Sequence, residues 1–191
     1  MSGLWVFVCG PSGSGKDSVM DAARRSLGAR SDIVFARRMV TRPMQPGSDH
    51  DPVTASRFAQ LLQSDGLCWH WQAHGFCYGI ASSYADAVRA GCLVIVNGSR
   101  AHVNSLPLSP DLRVVRISTD PGRLAVRLAQ RGRDSDAAVA ERLARNATFS
   151  GMAADCVIVN DGELQIAGQR LADYLTASAR PAEAACSRTS R

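Results

Sequence analysis

Lysine is almost missing from this chain: Lys16 is the only one in 191 residues, so arginine carries nearly all of the positive charge behind a formal net charge of +5. No block of Lys and Arg occurs, and aromatic residues make up 6% of the chain. Both shortages argue against a nucleic-acid surface, which needs clustered cations and stacking rings. No apolar run is long enough to span a bilayer, and no basic segment precedes the first one, so neither a membrane protein nor a signal peptide is expected. The six cysteines form no CxxC pair, and Cys9, Cys92 and Cys156 fall in apolar, strand-like runs. That usage speaks against a zinc or disulfide framework and predicts reduced, mostly buried thiols in a cytoplasmic protein. No internal repeat is evident. The length suits one domain, and scattered arginines suit bidentate binding of phosphate groups.

What is present begins with Gly10-Pro11-Ser12-Gly13-Ser14-Gly15-Lys16-Asp17-Ser18. This stretch follows the apolar run Leu4-Trp5-Val6-Phe7-Val8-Cys9 and precedes a helical pattern. Strand, glycine-rich loop, lysine and helix form the context that a phosphate-binding P-loop requires. Glycines let backbone N–H groups turn inward, the helix N-terminus adds partial positive charge, and Lys16 adds a full one. After the Gly-Lys pair such loops carry Ser or Thr, whose hydroxyl meets Mg²⁺; here the residue is Asp17.

The rest of the chain alternates. Strands are expected at 4–9, 33–36, 67–73, 76–80, 92–96, 112–117 and 156–159. The second strand runs straight into Arg37-Arg38-Met39-Val40-Thr41-Arg42, and 43–52 read as a turn-rich polar stretch. Helices are expected from Lys16 to near Gly28 and over Phe58, Leu61 and Leu62, the latter capped by Thr54 or Ser56. Others run from Ser82 or Ser83 to Gly91, from Asp120-Pro121 to Arg131-Gly132-Arg133, and over about 136–149. A last amphipathic helix carries Leu164, Ile166, Leu171 and Leu175, and from about Ala179 the composition is that of a disordered tail. Strands separated by helices imply right-handed crossovers and a parallel sheet. Its carboxyl edge would gather Gly10–Ser18, Arg37–Arg42, Asn97–Arg100 and Thr119–Asp120.

Four further segments occur in a telling order: Val40-Thr41-Arg42-Pro43 with Pro46-Gly47, then His74-Gly75-Phe76-Cys77-Tyr78-Gly79, then Arg131-Gly132-Arg133-Asp134-Ser135, then Val157-Ile158-Val159-Asn160-Asp161. Together with the P-loop, over about residues 4 to 175, the chain resembles the guanylate kinase family. The resemblance implies an α/β P-loop kinase fold, with a parallel five-stranded core sheet flanked by helices. It also implies a substrate-binding insertion at about 37–80 and a lid at about 127–145, within one domain spanning 1–178 and followed by the tail at 179–191.

The departures from that family narrow the reading. Trp69 stands where guanylate kinases carry a base-reading carboxylate, and Asn97 and Ser99 stand where an acid is expected after the strand. Guanine presents N–H donors, and each buried donor left without an acceptor costs about 1–3 kcal/mol. Arg42 and Tyr78 keep their family places as contacts to substrate phosphate. Gln45 replaces a second family arginine, Arg38 replaces a serine, and His50 takes the place of a phosphate-contacting tyrosine. The acceptor site has kept cations and lost base-reading groups, which suits a small, highly phosphorylated acceptor. The Gly-Lys-Asp-Ser loop and Val96-Asn97-Gly98-Ser99-Arg100-Ala101-His102 look like one related branch, the ribose 1,5-bisphosphate phosphokinases of phosphonate utilisation.

That resemblance implies transfer of a phosphoryl group from ATP to the 1-phosphate of α-D-ribose 1,5-bisphosphate, giving 5-phosphoribosyl 1-diphosphate, with Mg²⁺ as cofactor. ATP and ribose bisphosphate are then the partners. The acceptor oxygen is already ionised, so positioning and charge neutralisation carry the reaction. The implied catalytic residues are Lys16, Arg131 and Arg142. Residues Gly10 to Ser18, with Arg127 and Arg133, bind ATP; Arg38, Arg42, His50 and Tyr78 bind acceptor. Asp17 is the expected metal ligand, with Ser18 as its rival, and Asp17 also favours the helix N-terminus electrostatically. The arginines near the lid have a bland reading as a solvated helix face, and His50 has one as an exposed loop residue. Two other functions compete: a nucleoside monophosphate kinase, opposed by the missing acids, and a non-catalytic interaction module, opposed by Lys16, Arg131 and Arg142.

Overall fold

Leu4–Cys9 and Leu93–Asn97 are buried at every residue, as strands covered on both faces must be. The computed structural model describes residues 3–44, 49–73, 75–106, 109–130 and 153–179. In chain order these hold β1 (Leu4–Cys9), α1 (Lys16–Leu27), β2 (Ile33–Phe35), β3 (Arg38–Val40), β4 (His50–Pro52), α2 (Ala55–Gln63), β5 (Leu67–Ala73) and β6 (Phe76–Ala81). There follow α3 (Ser83–Arg89), β7 (Leu93–Asn97), α4 (Arg100–Ser105), β8 (Leu112–Ser118), α5 (Pro121–Gln130), β9 (Cys156–Val159) and α6 (Leu164–Ser178).

Five strands form an all-parallel sheet in the order β2-β7-β1-β8-β9. Side chains alternate across it. Val6 and Val8 of β1 face a core shared with Val19 and Ala23 of α1 and with Leu171 and Leu175 of α6. The two helices meet closely: a Cβ on Gly168 would lie 2.4 Å from the Ala22 Cβ. Trp5, Phe7 and Cys9 face the other way.

A second sheet, ordered β4-β3-β6-β5, is mixed: β3 pairs parallel with β4 and antiparallel with β6, and β5 and β6 form an antiparallel hairpin. Its Val40, Trp71, Tyr78 and Ile80 complete the apolar cluster begun by Trp5 and Phe7. Thr54 caps α2 as expected, its Oγ1 accepting from Arg57 N at 3.1 Å.

Four local expectations change. The second strand stops at Phe35, and the strand expected at 92–96 runs from Leu93 to Asn97. The stretch expected to be all turn ends in β4, which pairs in register with Arg38–Val40 and puts Pro52 in an edge strand, where its missing N–H costs no ladder bond. Residues 100–105 form α4, which no capping or periodicity signal announced. The expected helix at 136–149, the lid beyond residue 130, and nearly all of the tail lie outside the described residues.

Candidate active site

The carboxyl ends of β1, β7, β8 and β9 converge on the Gly10–Ser18 loop. Gly15 is the N-cap of α1 and sits at φ 78°, where an L side chain is strained, and a Cβ there would come 2.5 Å from Asn160 Nδ2. The loop closes on itself through Ser14 N donating to Pro11 O at 3.1 Å. Two side chains hold it from behind: Asn160, after β9, donates from Nδ2 to Ser14 O at 2.7 Å, and Thr119, after β8, donates from Oγ1 to the same carbonyl at 3.3 Å. Both clamping residues are buried.

Lys16 Nζ donates to Asn97 Oδ1, and Asn97 Nδ2 donates to Asp17 Oδ1. Lys16, Asn97 and Asp17 therefore form one hydrogen-bonded chain at the start of α1. Burial pushes the Lys16 ammonium below its ordinary range; Asp17 pulls it back up, while Arg38 and Arg100 push it further down. Burial raises the Cys9 thiol to about 12, against the pull of Lys16 and Arg100. Lys16 thus shares its surroundings with Arg38, Arg100 and Asp17, an arrangement suited to an anionic ligand.

The residues expected to meet the acceptor come from the second sheet. Arg38 reaches over from β3 and donates from Nη1 to Asn97 O at 3.5 Å, with its guanidinium 5.9 Å from the Tyr78 ring centroid. Burial lowers Arg38, and Asp17 draws it the other way. Its buried Nε has no hydrogen-bond partner among the described residues. Arg42 lies over Phe76, 5.8 Å from the ring centroid. Tyr78 is buried and stacks on Trp71 at 5.5 Å and 5°. His50 is 0% exposed in β4, and its Nε2 lies 3.2 Å from Arg42 O, so its ring braces the Arg42 backbone.

Beside the loop, a Cβ on Gly15 would lie 3.9 Å from Arg127 Nη1, and that buried nitrogen too has no partner among the described residues. Ser12 is exposed, Gly10 and Pro11 are half-buried, and Gly13 and Ser14 are buried. Asp17 and Ser18 are exposed in the first turn of α1. Arg131, Arg133 and Arg142 lie outside the described residues.

No cluster of three or more His, Cys, Asp or Glu residues suited to a metal occurs among the described residues. A cation here would take the Asp17 carboxylate together with ligand phosphates. That sparse, hard-oxygen donor set fits Mg²⁺, which is commonly held through one or two carboxylates plus substrate phosphate.

Sequence reasoning missed Asn160 and Thr119 as loop clamps, Asn97 as a bridge, and Arg100 as a contributor to the local charge. Each stands at or just after the end of a parallel strand, where a ligand site is expected, and that position was the one available signal.

No protein-family model matches the chain. It is 43% identical to a protein of Acidiphilium cryptum named ribose 1,5-bisphosphate phosphokinase PhnN, over 87% of this chain and 89% of that one. A protein of Laribacter hongkongensis with the same name is 41% identical over 92% of this chain, which spans 43% of that longer relative. Among solved structures, guanylate kinase from Anaplasma phagocytophilum shares the fold, with a TM-score of 0.66 at 17% identity over 93% of this chain and 87% of that one. With the P-loop fold in place and the first of these relatives matched almost end to end, the chain belongs to the ribose 1,5-bisphosphate phosphokinase family.

Proposed function

We propose that this protein transfers the γ-phosphoryl group of ATP to the 1-phosphate of α-D-ribose 1,5-bisphosphate, giving 5-phosphoribosyl 1-diphosphate and ADP, in the cytoplasm as a step of phosphonate breakdown. The observation that carries this reading is the junction at Asn97, where the P-loop lysine and the acceptor-side Arg38 meet on one residue. A donor phosphate on Lys16 and an acceptor phosphate on Arg38 would then be neighbours, as in-line transfer requires.

In that reaction an oxygen of the 1-phosphate forms a bond to Pγ as the bond from Pγ to the β,γ-bridging oxygen breaks, and ADP leaves. The attacking oxygen carries no proton at neutral pH, so the site needs no general base. Lys16 and the loop backbone hold the β- and γ-phosphates, with Arg127, Arg131, Arg133 and Arg142 as further cations for ATP. Arg38 and Arg42 hold acceptor phosphate, Tyr78 supports Arg38 from below, and His50 fixes the backbone of Arg42. Asp17, with Ser18 beside it, would hold Mg²⁺, which would supply neutralisation of phosphate charge when bound.

The aromatic wall speaks against a nucleotide acceptor. Trp69 packs edge-on against Trp5 at 5.7 Å and 88° and against Phe7 at 5.6 Å and 85°. Its place gives a base ring no carboxylate to bond, and its own buried Nε1 already lacks a partner among the described residues. The five described cysteines are free thiols, in keeping with a reducing compartment.

The test is a phosphorus NMR assay. Protein, ATP and Mg²⁺ are incubated with ribose 1,5-bisphosphate, GMP or ribose 5-phosphate in turn. Diphosphate resonances on ribose C1 are expected with the first alone, and a Lys16→Ala variant should lose at least about a hundredfold in rate. Conversion of GMP at a comparable rate would replace this reading with that of a nucleotide kinase. Silence with all three acceptors would favour the interaction module.

A further inference from the structure

Asn97 ends β7 in a fixed place. It pairs with Val8 in the sheet register, the next residue locks down through Gly98 N to Val8 O at 2.9 Å, and its own exposure is 7%. Its side chain accepts from Lys16 Nζ and donates to Asp17 Oδ1, while its main-chain oxygen accepts from Arg38. Three ionic groups, two from α1 and one from the second sheet, thus meet on one neutral residue of the first sheet.

The chemistry of those contacts is restrictive. An ammonium can only donate and a carboxylate can only accept. A primary amide offers each of them the complementary atom across one rigid plane, and the two partners dictate which way the amide points. A carboxylate at 97 would still accept from Lys16 but would face Asp17 as a like charge. An apolar residue at 97 would leave nothing between Lys16 and Asp17, and the ammonium would fall onto the neighbouring carboxylate instead of the triphosphate.

We propose that Asn97 is the positioning residue of the phosphate site. It holds Lys16 and Asp17 apart and side by side, so that one faces phosphate and the other faces the cation that accompanies it. The acid on α1 and the amide on β7 are then a matched pair, each residue type being tolerated because of the other. This inference rests on the reading of the loop as a triphosphate site.

Binding of a non-hydrolysable ATP analogue, measured by calorimetry with and without Mg²⁺, tests it apart from turnover. The proteins compared are wild type, Asn97→Asp, Asp17→Asn and the exchanged pair Asp17→Asn/Asn97→Asp. Asn97→Asp is expected to weaken Mg²⁺-dependent analogue binding by about ten- to a hundredfold. Asp17→Asn is expected to remove most of the Mg²⁺ dependence. The exchanged pair, which restores one acid and one amide, should recover at least about tenfold over Asn97→Asp, and kcat should follow the same order. If Asn97→Asp does not fold, Asn97→Ser serves in its place: its short hydroxyl cannot span both partners, and the same loss is expected. Single-variant effects that simply multiply in the pair, or wild-type Mg²⁺-dependent binding in either Asn97 variant, would overturn the inference while leaving the kinase reading intact. Failure of the wild-type protein to bind the analogue would overturn both.

Discussion

Arg38 and Arg127 share a feature that a folded protein does not keep without cause: each buries a guanidinium nitrogen that bonds to nothing among the described residues. An unmade hydrogen bond of that kind costs about 1–3 kcal/mol, so the defect is tolerable where a ligand completes it. Arg38 reaches Asn97 at the end of β7 and Arg127 lies by Gly15 of the loop, and the kinetics should separate them. Arg38→Ala should raise the acceptor KM by about ten- to a hundredfold while leaving the KM for ATP within about twofold, and Arg127→Ala should do the reverse. Lysine should rescue neither fully, because an ammonium lacks the planar fork. Initial-rate measurements with each substrate varied in turn check this; equal effects on both KM values would remove the division of labour. At this scale the sequence was legible where chemistry is local. The loop announces itself by spacing, and Asp17 by its mismatch with that spacing. Asn160 did not, because the carbonyl it holds belongs to Ser14, 146 positions away, and Asn-Asp-Gly reads equally well as a plain turn.

Between residue and fold lies the stack on which Arg38 rests. His102 from α4 stacks on Trp71 at 4.7 Å and 14°, Trp71 stacks on Tyr78, and Arg38 lies over Tyr78. Burial lowers the His102 pKa, with a further push from His70, and its buried Nδ1 has no partner among the described residues. The unfolded chain therefore takes up this proton at a higher pH than the folded one. Stability is fully present above the ordinary histidine value of about 6.5 and is lost as pH falls from there towards the lower folded value. A His102→Phe variant keeps the stack and removes both the titration and the orphaned nitrogen. Its denaturation midpoint should stay flat across that window where the wild type falls, and at pH 7.5 it should be unchanged or about 1 kcal/mol more stable. A wild-type midpoint independent of pH between 5 and 7 would sink the argument. The same region shows why some elements stayed hidden in the sequence. α4 has six residues, too few to hold a helix without tertiary support, and β4 has three that exist as a strand only because β3 offers them an edge. β1 and β7 were legible because a continuous apolar run has few other places to go.

For the molecule as a whole, the question is what joins the second sheet to the first. At the surface Asp49, next to β4, lies 3.5 Å from Arg24 of α1 and 3.0 Å from Arg37, the residue before β3, so ion pairing reaches the first layer through Arg24. Exposed pairs of this kind contribute about 0–1 kcal/mol each and weaken with salt. The larger bond is apolar. Trp5 and Phe7 of the first sheet and Trp71, Tyr78 and Ile80 of the second belong to one buried cluster, with Trp69 packed against it, and burying one large aromatic side chain outweighs both ion pairs together. No periodicity could have disclosed this, since it depends on which face of β1 meets which hairpin. All three tryptophans of the chain, Trp5, Trp69 and Trp71, lie at that junction, so their fluorescence reports on it directly. Two-state behaviour of the described fold follows: in urea, the tryptophan signal and the far-ultraviolet circular dichroism should change together at one midpoint, and 1 M NaCl should not pull them apart. Trp71→Ala should cost about 3–5 kcal/mol and, by loosening the junction, make the remaining tryptophan signal change before the helical one. If the two signals already separate in the wild-type protein, the second sheet is an independently unfolding unit, and Arg38 and Arg42 are held near the P-loop by surface ion pairing instead.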